Sequence, residues 1–168
     1  MITLFLALAL VFSQHKEYSP TIADYESKIE NVTSMSRNVF NKDTWTGIVM
    51  RSKASQKDTS WDQMSEREKD IFMFVVGLRT LNSILKIEEF WKDELQMFEN
   101  PNHRLVPSQD SRPATKKEVQ VYLAKLEQIR KGFATEMEAY NDSFFKKYRD
   151  EIPAEEASTF QKKVKVNK

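Results

Sequence analysis

Apolar residues recur at steps of three and four over three long stretches of this chain. In the middle one they fall at Ile71, Phe74, Leu78, Leu81 and Leu85, then at Ile84, Ile87, Trp91, Leu95 and Phe98. This spacing makes one stripe along a helix. The stretch opens on Ser65-Glu66-Arg67-Glu68. In such a box the serine oxygen accepts from a free N–H of the first turn, and the glutamate reaches back to the serine's own N–H. Ile71 to Val76 is apolar on every side, which predicts a segment enclosed by other helices. Unbroken, the helix to Phe98 is roughly 50 Å long. Gly77 or the Lys86 region would be the place for a bend or break.

The last stretch repeats the design. Thr115-Lys116-Lys117-Glu118 is another box, and Val119, Tyr122, Leu126, Ile129, Phe133, Met137, Tyr140, Phe144 and Tyr148 form the stripe behind it. This helix is predicted to run to about Asp150. The first helix is predicted from Thr21 or Ile22 to about Phe40, on Ile22, Tyr25, Ile29, Val32, Ser36 and Val39. Pro20 precedes it, where no helix bond is lost. Between the first two helices, Asp43 or Thr44 can cap a short helix with Trp45, Ile48 and Val49 on one side. Ser52 to Ser60 reads as a polar loop, and Ser60-Trp61-Asp62-Gln63 as a further turn start. Pro101 to Pro113 holds three prolines and excludes a continuous helix. It is a crossover loop or a lid, with Leu105 and Val106 tucked onto the core. Pro153 starts a short turn, Ala154 to Phe160, and the lysine-rich tail of about 161–168 is frayed. The fold class is all-α, with one helical domain over 14–168.

Composition adds the compartment. Ile2 to Phe12 is an unbroken apolar run with the length of a signal-peptide core, too short to cross a bilayer comfortably. Cleavage after Ser13 leaves Gln14 first, so residues 1–13 read as a leader and the protein as secreted, extracellular. No later segment is apolar enough to span a membrane. The chain has no cysteine, so it is neither a disulfide scaffold nor a thiol enzyme, and helix packing alone must hold it. Lys and Arg number 26 against 25 Asp and Glu. Phosphate binding needs a basic surplus on one face, so nucleic acid is not the expected partner. The sequons Asn31-Val32-Thr33 and Asn141-Asp142-Ser143 offer Asn31 and Asn141 for glycosylation.

Chemistry is hard to find. His15 and His103 have no metal-ligand spacing, so no metal and no cofactor is expected. Glu88-Glu89, Asp93-Glu94, Glu136 and Glu138 sit among lysines and read as solvated helix faces. Nothing places them in a cleft, as acid–base catalysis requires, so no enzyme is expected. Two binding readings remain. In one, the helices enclose an apolar cavity for a fatty acid or retinol, lined by Phe72, Phe74, Val75, Leu78, Trp91, Phe133, Met137 and Phe144, with Arg79 or Arg130 available to meet a carboxylate. In the other, the same residues fill a bundle core, and the outside binds a protein partner. A third, lesser reading places the helix faces and basic tail at a membrane surface.

A resemblance tilts the choice toward the cavity. Ser65-Glu66-Arg67-Glu68-Lys69-Asp70-Ile71-Phe72 is similar to the helix starts of the nematode fatty-acid- and retinol-binding family, with a glutamate where that family carries a proline. Pro107 to Pro113, followed by Thr115-Lys116-Lys117-Glu118 and a long helix, resembles the family's late region, as does Pro153-Ala154-Glu155-Glu156. The likeness spans about Asp43 to Phe160 and is one of pattern, with little residue identity. This chain is richer in aromatics and lacks the family's proline-rich mature start. The resemblance implies a secreted all-helical wedge around a cavity for fatty acids and retinol, and it carries no catalytic or binding residue over.

Overall fold

The computed structural model describes residues 20–51, 58–100 and 112–150. Within them lie three helices: α1 (Ile22–Asn38), α2 (Glu66–Met97) and α3 (Lys116–Lys147). Between α1 and α2, a 3-10 helix (Lys42–Trp45) leads into an antiparallel strand pair, β1 (Val49–Arg51) and β2 (Asp58–Ser60), and then a second 3-10 helix (Trp61–Gln63). The predicted leader, Leu105 and Val106 of the proline loop, the turn at Pro153 and the basic tail lie outside the described residues.

Each long helix starts at its box. The Ser65 N–H donates to Glu68 Oε2 at 2.8 Å, and the Ser65 side chain caps the first turn in return. At α3, Thr115 and Glu118 repeat this. There Arg112 also grips both Glu118 oxygens, at 2.6 and 2.9 Å. The guanidinium and the Thr115 bonds hold the Glu118 carboxyl down at about 2. α1 opens on a box closed by Asp24 in place of the usual glutamate. Ser60 and Gln63 close a box on the second 3-10 turn, where a turn start was expected.

The segment between α1 and α2 departs from expectation. Asn41, not Asp43 or Thr44, caps a single 3-10 turn. Gly47 then turns the chain at φ 73°, a left-handed conformation that ends helical winding and costs glycine little. Val49 lies in a strand, and so does Asp58–Ser60, part of the expected loop. β-branched Val49 and Thr59 suit the extended pair.

α2 runs 32 residues without a break at Gly77 or Lys86, about 48 Å. α3 has the same length and returns antiparallel to it. Asp70 meets Lys147, Glu88 meets Arg130, and Glu99 meets Lys116. α1 has 17 residues and lies chiefly against α3, running in the same direction. Thr21 pairs with Pro113 at one end, and Phe40 stacks on Phe133 and Tyr140 at the other. A helix of 17 residues covers only about half of the α2–α3 groove. The two 3-10 turns continue the cover: Trp45 and Trp61 set their rings edge-on to Phe72, at 5.0 and 5.8 Å.

Among the described residues, many apolar side chains of the helices are buried against one another. Val119, Leu126, Ala134 and Met137 are wholly buried, and Met73, Leu81 and Ile84 nearly so. At Gly77 the packing is close. A Cβ there would stand 2.6 Å from Met137 Sδ and 3.0 Å from Phe40 Cζ, inside van der Waals contact. Glycine in mid-helix costs about 1 kcal/mol relative to alanine, and here it lets Phe40 and Met137 approach the α2 backbone.

Candidate functional site

Among the described residues, the eight proposed cavity liners fall into several groups. Phe72 is capped by Trp45 and Trp61. Phe74 stacks on Phe144 at 5.2 Å, and Met137 and half-buried Leu78 pack in the same cluster. Phe133 stacks on Phe40 at 5.7 Å. Trp91 lies at the far end of α2, its ring 5.0 Å from that of Tyr25. Val75 is turned partly to solvent. It is 38% exposed, and Ile71 is 37% exposed on the same outer side. The run Ile71 to Val76, expected to be enclosed all round, is therefore covered on part of its circumference, because the flanking elements leave its outer face partly exposed. Apolar composition cannot tell how many neighbours a helix will have.

A small cleft of about 70 Å³ opens beside Trp91. Pro20, Tyr25, Ile87, Phe90 and Trp91 form its apolar walls, and Asp24 and Lys28 are its charged members. Ligand pockets usually measure about 300–1,000 Å³, so this one accepts a group of a few atoms. Trp91 is the one of the eight candidates that lines it. The Tyr25 hydroxyl donates to Glu94, and the Tyr122 hydroxyl to Glu26 Oε1 at 3.0 Å. These bonds tie α1 to its neighbours on either side of the stacked Tyr25 and Tyr122 rings. Burial and the Glu94 carboxylate push the Tyr25 phenol well above its usual range.

Two carboxylates are interior, and one of them, Glu88, read as surface charge in the sequence. Glu88 is 4% exposed. Its oxygens take Arg130 Nε at 2.6 Å and Lys92 Nζ at 2.5 Å. Its position was readable: Glu88 sits four residues after Ile84 and three before Trp91, on the apolar stripe. Burial pushes this carboxyl up, and Lys92 and Arg130 more than reverse the push, so it titrates below the usual range. Of the two arginines considered for a ligand carboxylate, Arg130 thus meets one of the protein's own, and Arg79 is exposed.

Asp70 is the second node. It accepts from Lys147 Nζ at 2.5 Å and from the Tyr148 hydroxyl at 2.8 Å, with Lys42 Nζ at 3.5 Å. It therefore joins the end of α3 and the first 3-10 turn to the start of α2. Burial raises the Asp70 carboxyl, and Lys147 and Tyr148 outweigh it, so the group is held below its ordinary value. A depressed carboxyl stabilises the fold where it is ionised, above about pH 4 in the unfolded chain. That contribution fades as the pH falls through the folded value. Asp70→Asn is expected to be less stable than the parent at neutral pH, and the difference is expected to shrink below about pH 4. Urea unfolding at neutral and acid pH measures this, and a difference that does not change with pH would refute it.

The two sequons part company. Asn31 is exposed on α1, free to carry a sugar. Asn141 is 2% exposed, on the same face of α3 as buried Met137 and Phe145, and its Oδ1 has no hydrogen-bond partner among the described residues. In the folded chain the Asn141 side chain is therefore enclosed, whereas that of Asn31 faces outward.

Among the described residues, no group of His, Cys, Asp or Glu is placed to hold a metal ion, and no helix is long and apolar enough to cross a membrane. The fold defines a class, an all-α protein of two long antiparallel helices clasped by a shorter one. No protein-family model, curated protein or solved structure matches the chain.

Proposed function

We propose that this protein acts by binding and not by catalysis, as a secreted helical-bundle interaction protein whose outer α2 face receives a protein partner. One observation carries this reading. Among the described residues, many apolar side chains of the helices are buried against one another, while Ile71 and Val75 stay partly exposed on consecutive turns. Covering such a strip yields about 25 cal/mol per Å² of apolar surface removed from water. The extracellular location rests on the apolar run Ile2 to Phe12 and its cleavage site, and exposed Asn31 suits it.

The second reading is a carrier of fatty acids or retinol. The cleft beside Tyr25 and Trp91 favours it, being walled mainly by apolar side chains. At about 70 Å³ it admits the end of an acyl chain, and a whole chain requires α1 to lift from α2. Two assays on one preparation separate the readings. The first is titration with a fluorescent fatty acid and with retinol, and the second is capture of partners by the parent and by Val75→Glu. Capture lost in the variant, without displaceable lipid binding, supports the interaction protein. Saturable binding displaced by oleate, near one ligand per chain, supports the carrier and overturns the first reading.

A further inference from the structure

The geometry points to a second copy of this chain as an occupant of the α2 face. This deepens the interaction reading and rests on it. Ile71 and Val75 stand four residues apart on the outer side of α2, with half-buried Leu78 at their edge. Glu68 and Arg79, both exposed, flank the pair at its two ends. They are eleven residues apart, three helical turns, so they lie on the same side of the strip at about 100° per residue. The midpoint of Glu68 and Arg79 falls between residues 73 and 74, and that of Ile71 and Val75 falls at residue 73. The strip is therefore apolar at its centre and opposite in charge at its ends, about one common point.

That pattern is self-complementary in one orientation. An antiparallel copy, related by a two-fold axis beside residues 73 and 74, sets Ile71 on the partner's Val75. It also brings Glu68 beside the partner's Arg79, and the contact occurs twice because the interface is isologous. A parallel copy would oppose Glu68 to the partner's Glu68 and Arg79 to the partner's Arg79, which is repulsive. The groups are available for this. The Arg79 side chain has no ion pair or hydrogen bond to another described residue. Glu68 is held at the helix surface by the Ser65 cap through Oε2. The strip is two turns long, short of the roughly 800 Å² per partner of a standard interface, so the dimer is a weak one.

Sedimentation velocity of the whole chain over a wide concentration range tests this, with circular dichroism confirming that each variant is folded. The parent is expected to pass from monomer to dimer. Val75→Glu is expected to stay monomeric. Arg79→Glu turns both charge pairs into like-charge contacts and is expected to weaken association by about tenfold or more. Glu68→Gln keeps the side-chain acceptor of the Ser65 box and removes the charge, and it is also expected to weaken association. A monomer at every concentration overturns the proposal, as does Arg79→Glu or Glu68→Gln at parental affinity. If the monomer still captures a protein through Val75, the interaction reading stands without the dimer. If it captures nothing, both fall.

Discussion

Replacing Phe133 by alanine is expected to lower the unfolding free energy by about 3–5 kcal/mol. Phe133 is 2% exposed and sits where α1, α2 and α3 close on one another. Its ring stacks on Phe40, and Phe40 also stacks on Tyr140. Truncation removes the transfer free energy of the ring and leaves a hole, because Phe40 is held by its other neighbours and cannot follow. The hole adds its own term to the loss. Urea unfolding with an unchanged m-value measures the effect as a shift of the midpoint. The same number bears on function. A side chain that borders an existing void loses little beyond its transfer term, about 1.5–3 kcal/mol. A loss confined to that lower range would contradict the filled interior and favour the carrier.

Glu88→Gln is expected to cost about 3 kcal/mol or more. The substitution keeps the shape of the side chain and removes the carboxylate that Arg130 and Lys92 address. Lys92 is half exposed and can turn to water. Arg130 is 9% exposed, so its guanidinium loses the Glu88 charge in a site with little solvent. The double substitution of Glu88 by leucine and Arg130 by methionine is expected to be near neutral or stabilising, since removing both charges also removes their desolvation cost. Thermal or urea unfolding of the single and double variants forms the comparison. A double variant as unstable as the single would show that the pair itself carries the stability.

The helices were legible because their signals are local. The boxes at Ser65 and Thr115 and the stripes behind them depend on residues within a few turns of each other, and the structure starts α2 and α3 where those boxes lie. The short segment after α1 was not, since Gly47 at positive φ and the pairing of Val49 with Ser60 depend on residues brought together from either side of a loop. Val75 shows the same limit within a helix. Its apolar neighbours predict burial, and only the arrangement of α1 and α3 decides that this side stays partly exposed. Glu88 errs the other way. Its charge suggested solvent, and its place between Ile84 and Trp91 put it inside, where Arg130 of α3 was waiting.

The sequence by itself determined the class: all-α, built from amphipathic helices with capped starts, without cysteine to cross-link them. Helix periodicity and capping are interactions between near neighbours, so one dimension is enough to read them. The tertiary structure decided which residues fill the interior, that Glu88 and Asp70 are shared between elements, that Asn141 is shut in, and that Ile71 and Val75 face outward. Those outcomes depend on side chains tens of residues apart, such as Gly77, Met137 and Phe40. Their steric fit exists only once the helices have packed.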